Sequence, residues 1–156
     1  MAELRLIALC ALASGRAGAA PHKLDLPAGW RALPALAAAV GKAADGATAA
    51  AWGEPARGCY AVAFDVRGPA AAADALADQL IAALPKQIAV HDVARPAAGA
   101  DRGVLAFSFE GGGYHGRVRA QLARDGSIGA ATCFWNDREP AACSTACQSL
   151  LGRLAP

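Results

Sequence analysis

The stretch GCYAVAFDVRG, residues 58–68, limits the fold more than any other part of the chain. Side chains alternate between faces along a strand, so Tyr60, Val62, Phe64 and Val66 share one side and Cys59, Ala61 and Ala63 the other. Both sides are apolar. Such a strand needs cover above and below, which places it inside a sheet rather than at an edge. The side bearing Cys59, Ala61 and Ala63 is also small, which suits a helix lying close against it.

The flanking segments supply the layers. Leu24 to Arg31 alternates apolar with polar around Pro27-Ala28-Gly29 and reads as strand, bend and strand. Ala35 to Ala44 reads as a short helix carrying Leu36 and Val40, ended near Gly46. Ala47 to Trp52 reads as strand. In PAAAADALADQLIAAL, Ala73, Leu76, Ala77, Leu80 and Leu84 recur at three- and four-residue spacing, with Asp74 and Asp78 off that stripe. Pro69 suits the first turn of this helix and Pro85 ends it. Ile88 to Ala94 is a further strand. The run from Val104 to Trp135 reads as successive antiparallel strands, turned at Gly111–Gly113 and at Asp125-Gly126. Its strand with Arg117, Arg119 and Gln121 against Val118, Ala120 and Leu122 has one wet face. Pro140 opens a last helix, with Cys143, Cys147, Leu150, Leu151 and Leu154 on one stripe.

The order β–α–β–β–α–β–β–β–β–α predicts an α+β fold, an antiparallel β-sheet packed by helices. With LDLPAGW opening the sheet and a helix closing the chain, this order resembles the Mog1/PsbP-like fold, including DcrB-type exported bacterial proteins. Pro27, Gly29 and Trp30 form the most concrete element of the resemblance. It implies a non-enzymatic accessory, chaperone or partner-binding domain.

The N-terminus reads as a secretory signal peptide over 1–19, ahead of one domain over 20–156. Arg5 lies in its short polar start, Leu6 to Ala13 form its apolar core, and the small residues around Ala17 to Ala19 form its cleavage site. Cutting after Ala19 keeps Pro21 away from the scissile bond. The apolar run falls short of the roughly 20 residues a membrane helix needs. Removing the peptide leaves 13 basic and 12 acidic side chains, a net charge of about +1. That balance argues against a nucleic-acid partner and against a polybasic membrane patch. The destination expected is periplasmic or secreted.

Cys10 leaves with the peptide, and an even set remains: Cys59, Cys133, Cys143 and Cys147. In an exported chain, four cysteines favour disulfides over free thiols or a metal site. Helical residues four apart hold their Cβ atoms about 5–6 Å apart, while a disulfide wants about 3.5–4.5 Å. This disfavours Cys143–Cys147 and points both helical thiols at the sheet. If the chain reverses at Asn136–Glu139, Cys133 and Cys143 come level, and Cys147 is left for Cys59. The expected pairs are Cys133–Cys143 and Cys59–Cys147, which staple the C-terminal helix to the sheet. Cys143-x-x-x-Cys147 lacks the spacing of a thioredoxin site, and Gln148 stands where haem attachment needs His.

No catalytic, cofactor or metal constellation is legible. His91-Asp92 lacks the further ligands of a metal phosphohydrolase. EGGGYHG, residues 110–116, lacks the Lys-Ser/Thr of a phosphate loop and joins two strands. Glu110 and Asp125 read as turn carboxylates, and Trp30, Trp52 and Trp135 as packing residues. The function expected is a non-catalytic exported accessory domain that binds a protein partner, with Tyr114, His115, Arg117 and Arg119 as contact candidates. The alternatives are a small hydrolase or thiol-dependent enzyme assembled only in the fold, and a small-ligand carrier. The carrier requires an apolar cavity between sheet and helix.

Overall fold

The computed structural model describes residues 25–43 and 47–154; the expected signal peptide lies outside them. One antiparallel sheet of seven strands runs in the order β1-β2-β3-β7-β6-β5-β4. The strands are β1 Arg31–Ala32, β2 Thr48–Glu54, β3 Cys59–Arg67, β4 Ala89–Ala94, β5 Arg102–Gly111, β6 Tyr114–Ala123 and β7 Ser127–Trp135. The helices are α1 Pro34–Ala43, α2 Ala73–Ala82 and α3 Pro140–Leu154. The element order is the one expected, and the fold is α+β.

Two boundaries differ from the sequence reading. The strand expected over Leu24 to Arg31 shrinks to Arg31–Ala32, because Pro27, Ala28 and Gly29 spend themselves on a turn closed by the Trp30 N–H on the Pro27 carbonyl. Pro69 lies four residues before α2 rather than in its first turn, since the chain first caps the β6–β7 end, where the Gly68 N–H donates to the Gly126 carbonyl.

The alternation read in β3 decides the layering. Val62 and Phe64 join Leu76 of α2, Leu105, Phe107 and Phe109 of β5, and Val118 of β6 in the core beneath α1 and α2. Cys59 and Ala61 face the other way, with Trp52, Ala131, Trp135 and the α3 residues Leu150 and Leu151. The three tryptophans are each 8% exposed and lie in this second core. Small Ala61 and Ala131 let α3 come close enough for sulfur bonding.

The sheet is closed by economical turns. Gly112 and Gly113 have φ of 63° and 82°, a two-residue turn whose twist matches its strands. Edge strand β4 carries a register shift between His91 and Ala94, with Asp92 at φ 52°. That irregularity discourages pairing with another chain.

Asp125 in the β6–β7 turn accepts the Ser127 backbone N–H at 2.9 Å and Arg67 Nη2 at 3.3 Å. The Ser127 N–H first, then its hydroxyl, with Arg67 and Arg102 adding attraction, hold this carboxyl below its ordinary value. The folded state is therefore the stronger acid. Its contribution is complete above the unfolded pKa and disappears as pH falls through the folded one. Asp125→Asn is expected to flatten the decline in stability below about pH 4, measured as urea midpoints at pH 5 and pH 3; an unchanged slope would refute this.

Candidate functional site

The two disulfides join Cys59 to Cys143 and Cys133 to Cys147, with Cα separations of 5.3 and 5.5 Å. The staple between α3 and the sheet is as expected, but the pairing is the other one. The register supplies the reason. Cys59 opens β3 opposite Trp135, the last residue of antiparallel β7, while Cys133 lies opposite Ala61, two residues deeper. Two strand residues advance about 6.6 Å and four helical residues about 6 Å. The chain reverses after Trp135, so Cys143 returns level with Cys59 and Cys147 level with Cys133. The sequence reading took Cys133 and Cys143 as the level pair and gave Cys59 no height of its own. A strand-opening cysteine beside a strand-closing tryptophan was the available signal.

On the opposite face, one cross-strand row runs Arg31, Gly53, Tyr60, Phe134, Gly116, Phe109. Its centre is aromatic. The Tyr60 and Phe134 rings stack with centroids 5.2 Å apart and 17° between planes. Tyr114 meets Phe134 edge-on at 5.7 Å and Tyr60 at 6.3 Å. Such offset and edge contacts are the favoured aromatic geometries. Gly116, next to Phe134 in the row, leaves room for the Phe109 ring: a Cβ there would collide with that ring and come within 2.7 Å of the Cys133 carbonyl oxygen.

These rings floor a cleft of about 660 Å³ between α1 and the sheet. Leu33, Pro34, Ala35, Leu36 and Ala39 wall one side, Pro55 of the β2–β3 turn closes one end, and Arg31 and Ala32 form the rim. Its polar side-chain atoms are those of Arg31 and the two tyrosine hydroxyls, and no carboxylate is among the lining residues.

The expected contact residues do not form one patch. Tyr114 lines this cleft, whereas His115, Arg117 and Arg119 lie beyond the sheet, on the face that α3 leaves partly open. Tyr114 and His115 are consecutive in a strand and so point apart. On the far face, Glu110 lies 3.3 Å from His91 and 3.8 Å from His115, and His115 Nε2 is 3.0 Å from Asp137. All four side chains are exposed, strung across β4, β5, β6 and the β7–α3 loop. Among the described residues, no three His, Cys, Asp or Glu side chains converge on a metal-sized point. Arg117 and Arg119 border a smaller groove of about 340 Å³ with Asp92, Ser108 and Gln148.

Sequence reasoning missed the cleft. Nothing in the sequence marks Phe134 or Arg31 for a site, and Tyr114 is expected as a partner contact together with His115, Arg117 and Arg119. Comparison of the sequence with models of known protein families and with proteins of curated function finds no match.

Proposed function

We propose that this chain is a non-catalytic domain, exported to the periplasm or secreted, that carries a small apolar ligand in the cleft between α1 and the sheet. The observation that carries the reading is the stacked Tyr60–Phe134 floor beneath a wall of aliphatic α1 side chains. A volume of about 660 Å³ lies within the range of small-molecule sites, roughly 300–1,000 Å³, and apolar lining with few polar groups is their usual make-up. The four described cysteines are bonded to one another, which fits an oxidising compartment. The histidine–carboxylate contacts lie on an open face, away from the cleft, and this weighs against the hydrolase and thiol-enzyme readings. Kinship with the Mog1/PsbP-like group belongs to the same proposal, supported by the element order.

A protein partner is the second reading, favoured by the cleft opening beside the short edge strand β1 and Pro55. An apolar anchor side chain of a partner would fit there.

Titration with 1-octanol, followed by amide chemical shifts, is expected to move residues of α1, Tyr60, Tyr114 and Phe134. Phe134→Ala is expected to weaken binding about ten-fold, the worth of one well-packed aromatic contact. Shifts confined to the α3 face, or no binding at millimolar octanol, would remove the carrier reading.

A further inference from the structure

We infer that the ligand is a free amphiphile bearing one anionic group, with its apolar body on the Tyr60–Phe134–Tyr114 floor and its charge on the Arg31 guanidinium; this rests on the reading of the cleft as the binding site. Arg31 sits in the same cross-strand row as the floor, separated from Tyr60 only by Gly53. At about 4.8 Å per strand the two backbones stand roughly 10 Å apart. Gly53 adds no side chain of its own; Leu33 Cδ1 packs over it, 3.1 Å from where a Cβ would stand, and Arg31, Leu33 and Tyr60 line the same cleft.

The charge of Arg31 is uncommitted. Arg57 pairs with Glu54 and Glu139, Arg67 with Asp125, Arg95 with Asp78 and Arg124 with Asp101. Among the described residues Arg31 has no such partner, and the cleft it borders contains no carboxylate. The first turn of α1, which walls the same space, holds no acidic residue either, so its positive end adds to the field. A bound cation would set the attraction of the ring faces against repulsion from Arg31, and a neutral ligand would leave the guanidinium unused. A carboxylate matches a single guanidinium in two parallel hydrogen bonds. Arg117 and Arg119, which also lack an ion pair among the described residues, share their smaller groove with Asp92, which already supplies negative charge.

The surroundings favour a single dissolved molecule over a lipid surface. Among the described residues, Val93 is the one large hydrophobic side chain that is exposed, and it lies on β4 at the far edge of the sheet. At the cleft mouth the exposed apolar residues are the small Ala32, Pro34 and Ala35, which offer little to enter a bilayer.

Three eight-carbon probes test the assignment by calorimetry: octanoate, 1-octanol and octylammonium. Octanoate is expected to bind about five-fold more tightly than octanol, the size of one partly exposed ion pair, and octylammonium more weakly than either. Arg31→Ala is expected to bring octanoate level with octanol, and Arg31→Lys to keep part of the preference. Raising the salt concentration should narrow the gap in the wild-type protein. Equal binding of octanoate and octanol to the wild type would overturn the anion assignment and leave the cleft reading standing. Failure of all three probes to bind would overturn both. Binding to phosphatidylglycerol vesicles that octanoate does not displace would overturn the choice of a free ligand.

Discussion

Replacing Cys59 and Cys143 together by alanine is expected to lower the unfolding free energy by about 4.5 kcal/mol, against about 3 kcal/mol for Cys133 and Cys147 together. The difference comes from chain entropy. The first bond closes a sequence separation of 84 residues and the second one of 14, and a longer closed loop removes more freedom from the unfolded chain. The packing lost is similar in the two variants, because all four cysteines are almost completely buried, at 2% exposure or less. Urea titrations of the two double mutants give the ranking directly. Peptide mapping without reduction should recover Cys59 joined to Cys143. Recovery of Cys59 joined to Cys147, or a reversed ranking, would show that the register argument is mistaken.

Gly126→Ala carries the next largest effect, a loss of about 3 kcal/mol. Gly126 ends the three-residue β6–β7 turn at φ 86°, a conformation that costs an L side chain roughly 1–2 kcal/mol. Its amide donates to the Ala123 carbonyl, and its own carbonyl accepts the Gly68 N–H. A Cβ at this position would overlap the Gly68 carbonyl group and stand 3.1 Å from the Pro69 carbonyl oxygen. Overpacking against backbone adds about 1–3 kcal/mol, because the neighbour cannot rotate away. Gly113→Ala is the matched control. Gly113 has φ of 82° but no atom within 4 Å of the added carbon, so only the conformational cost applies. Thermal or urea unfolding of both variants separates clash from strain; equal losses would mean that the Gly68 contact is relieved at no cost.

Much of the fold was legible because its signals are local. The doubly apolar alternation of residues 59–67, the stripe from Ala73 to Leu84 and the glycine turns each specify their element from neighbouring residues. The stapled helix followed from the same kind of signal, since Cys143 and Cys147 lie one helical turn apart and face one way. The pairing was not legible to a reading that measured depth along β7 and α3 alone. It depends on where β3 starts relative to β7, a relation between segments more than sixty residues apart. The cleft is harder still. Its floor takes Tyr60 from β3, Phe134 from β7 and Tyr114 from β6, and its rim takes Arg31 from a two-residue strand that the sequence reading extended in the wrong direction. Each of these looks ordinary within its own segment. Only the register of five neighbouring strands, β1-β2-β3-β7-β6, aligns them, and Gly116 enters that alignment by what it lacks.

The sulfur bonds hold only the first half of α3, at Cys143 and Cys147, while Leu150 and Leu151 grip the sheet by packing alone. The helix is thus pinned like a door along one jamb. Beyond residue 147 the helix has no covalent tie to the sheet; Leu150 and Leu151 retain it by packing, and the Arg153 guanidinium donates to the Asp25 carbonyl at 2.8 Å. The aromatic chamber lies on the far side of the wall, so a fault in the sulfur staple reaches it only through the strands that both faces share.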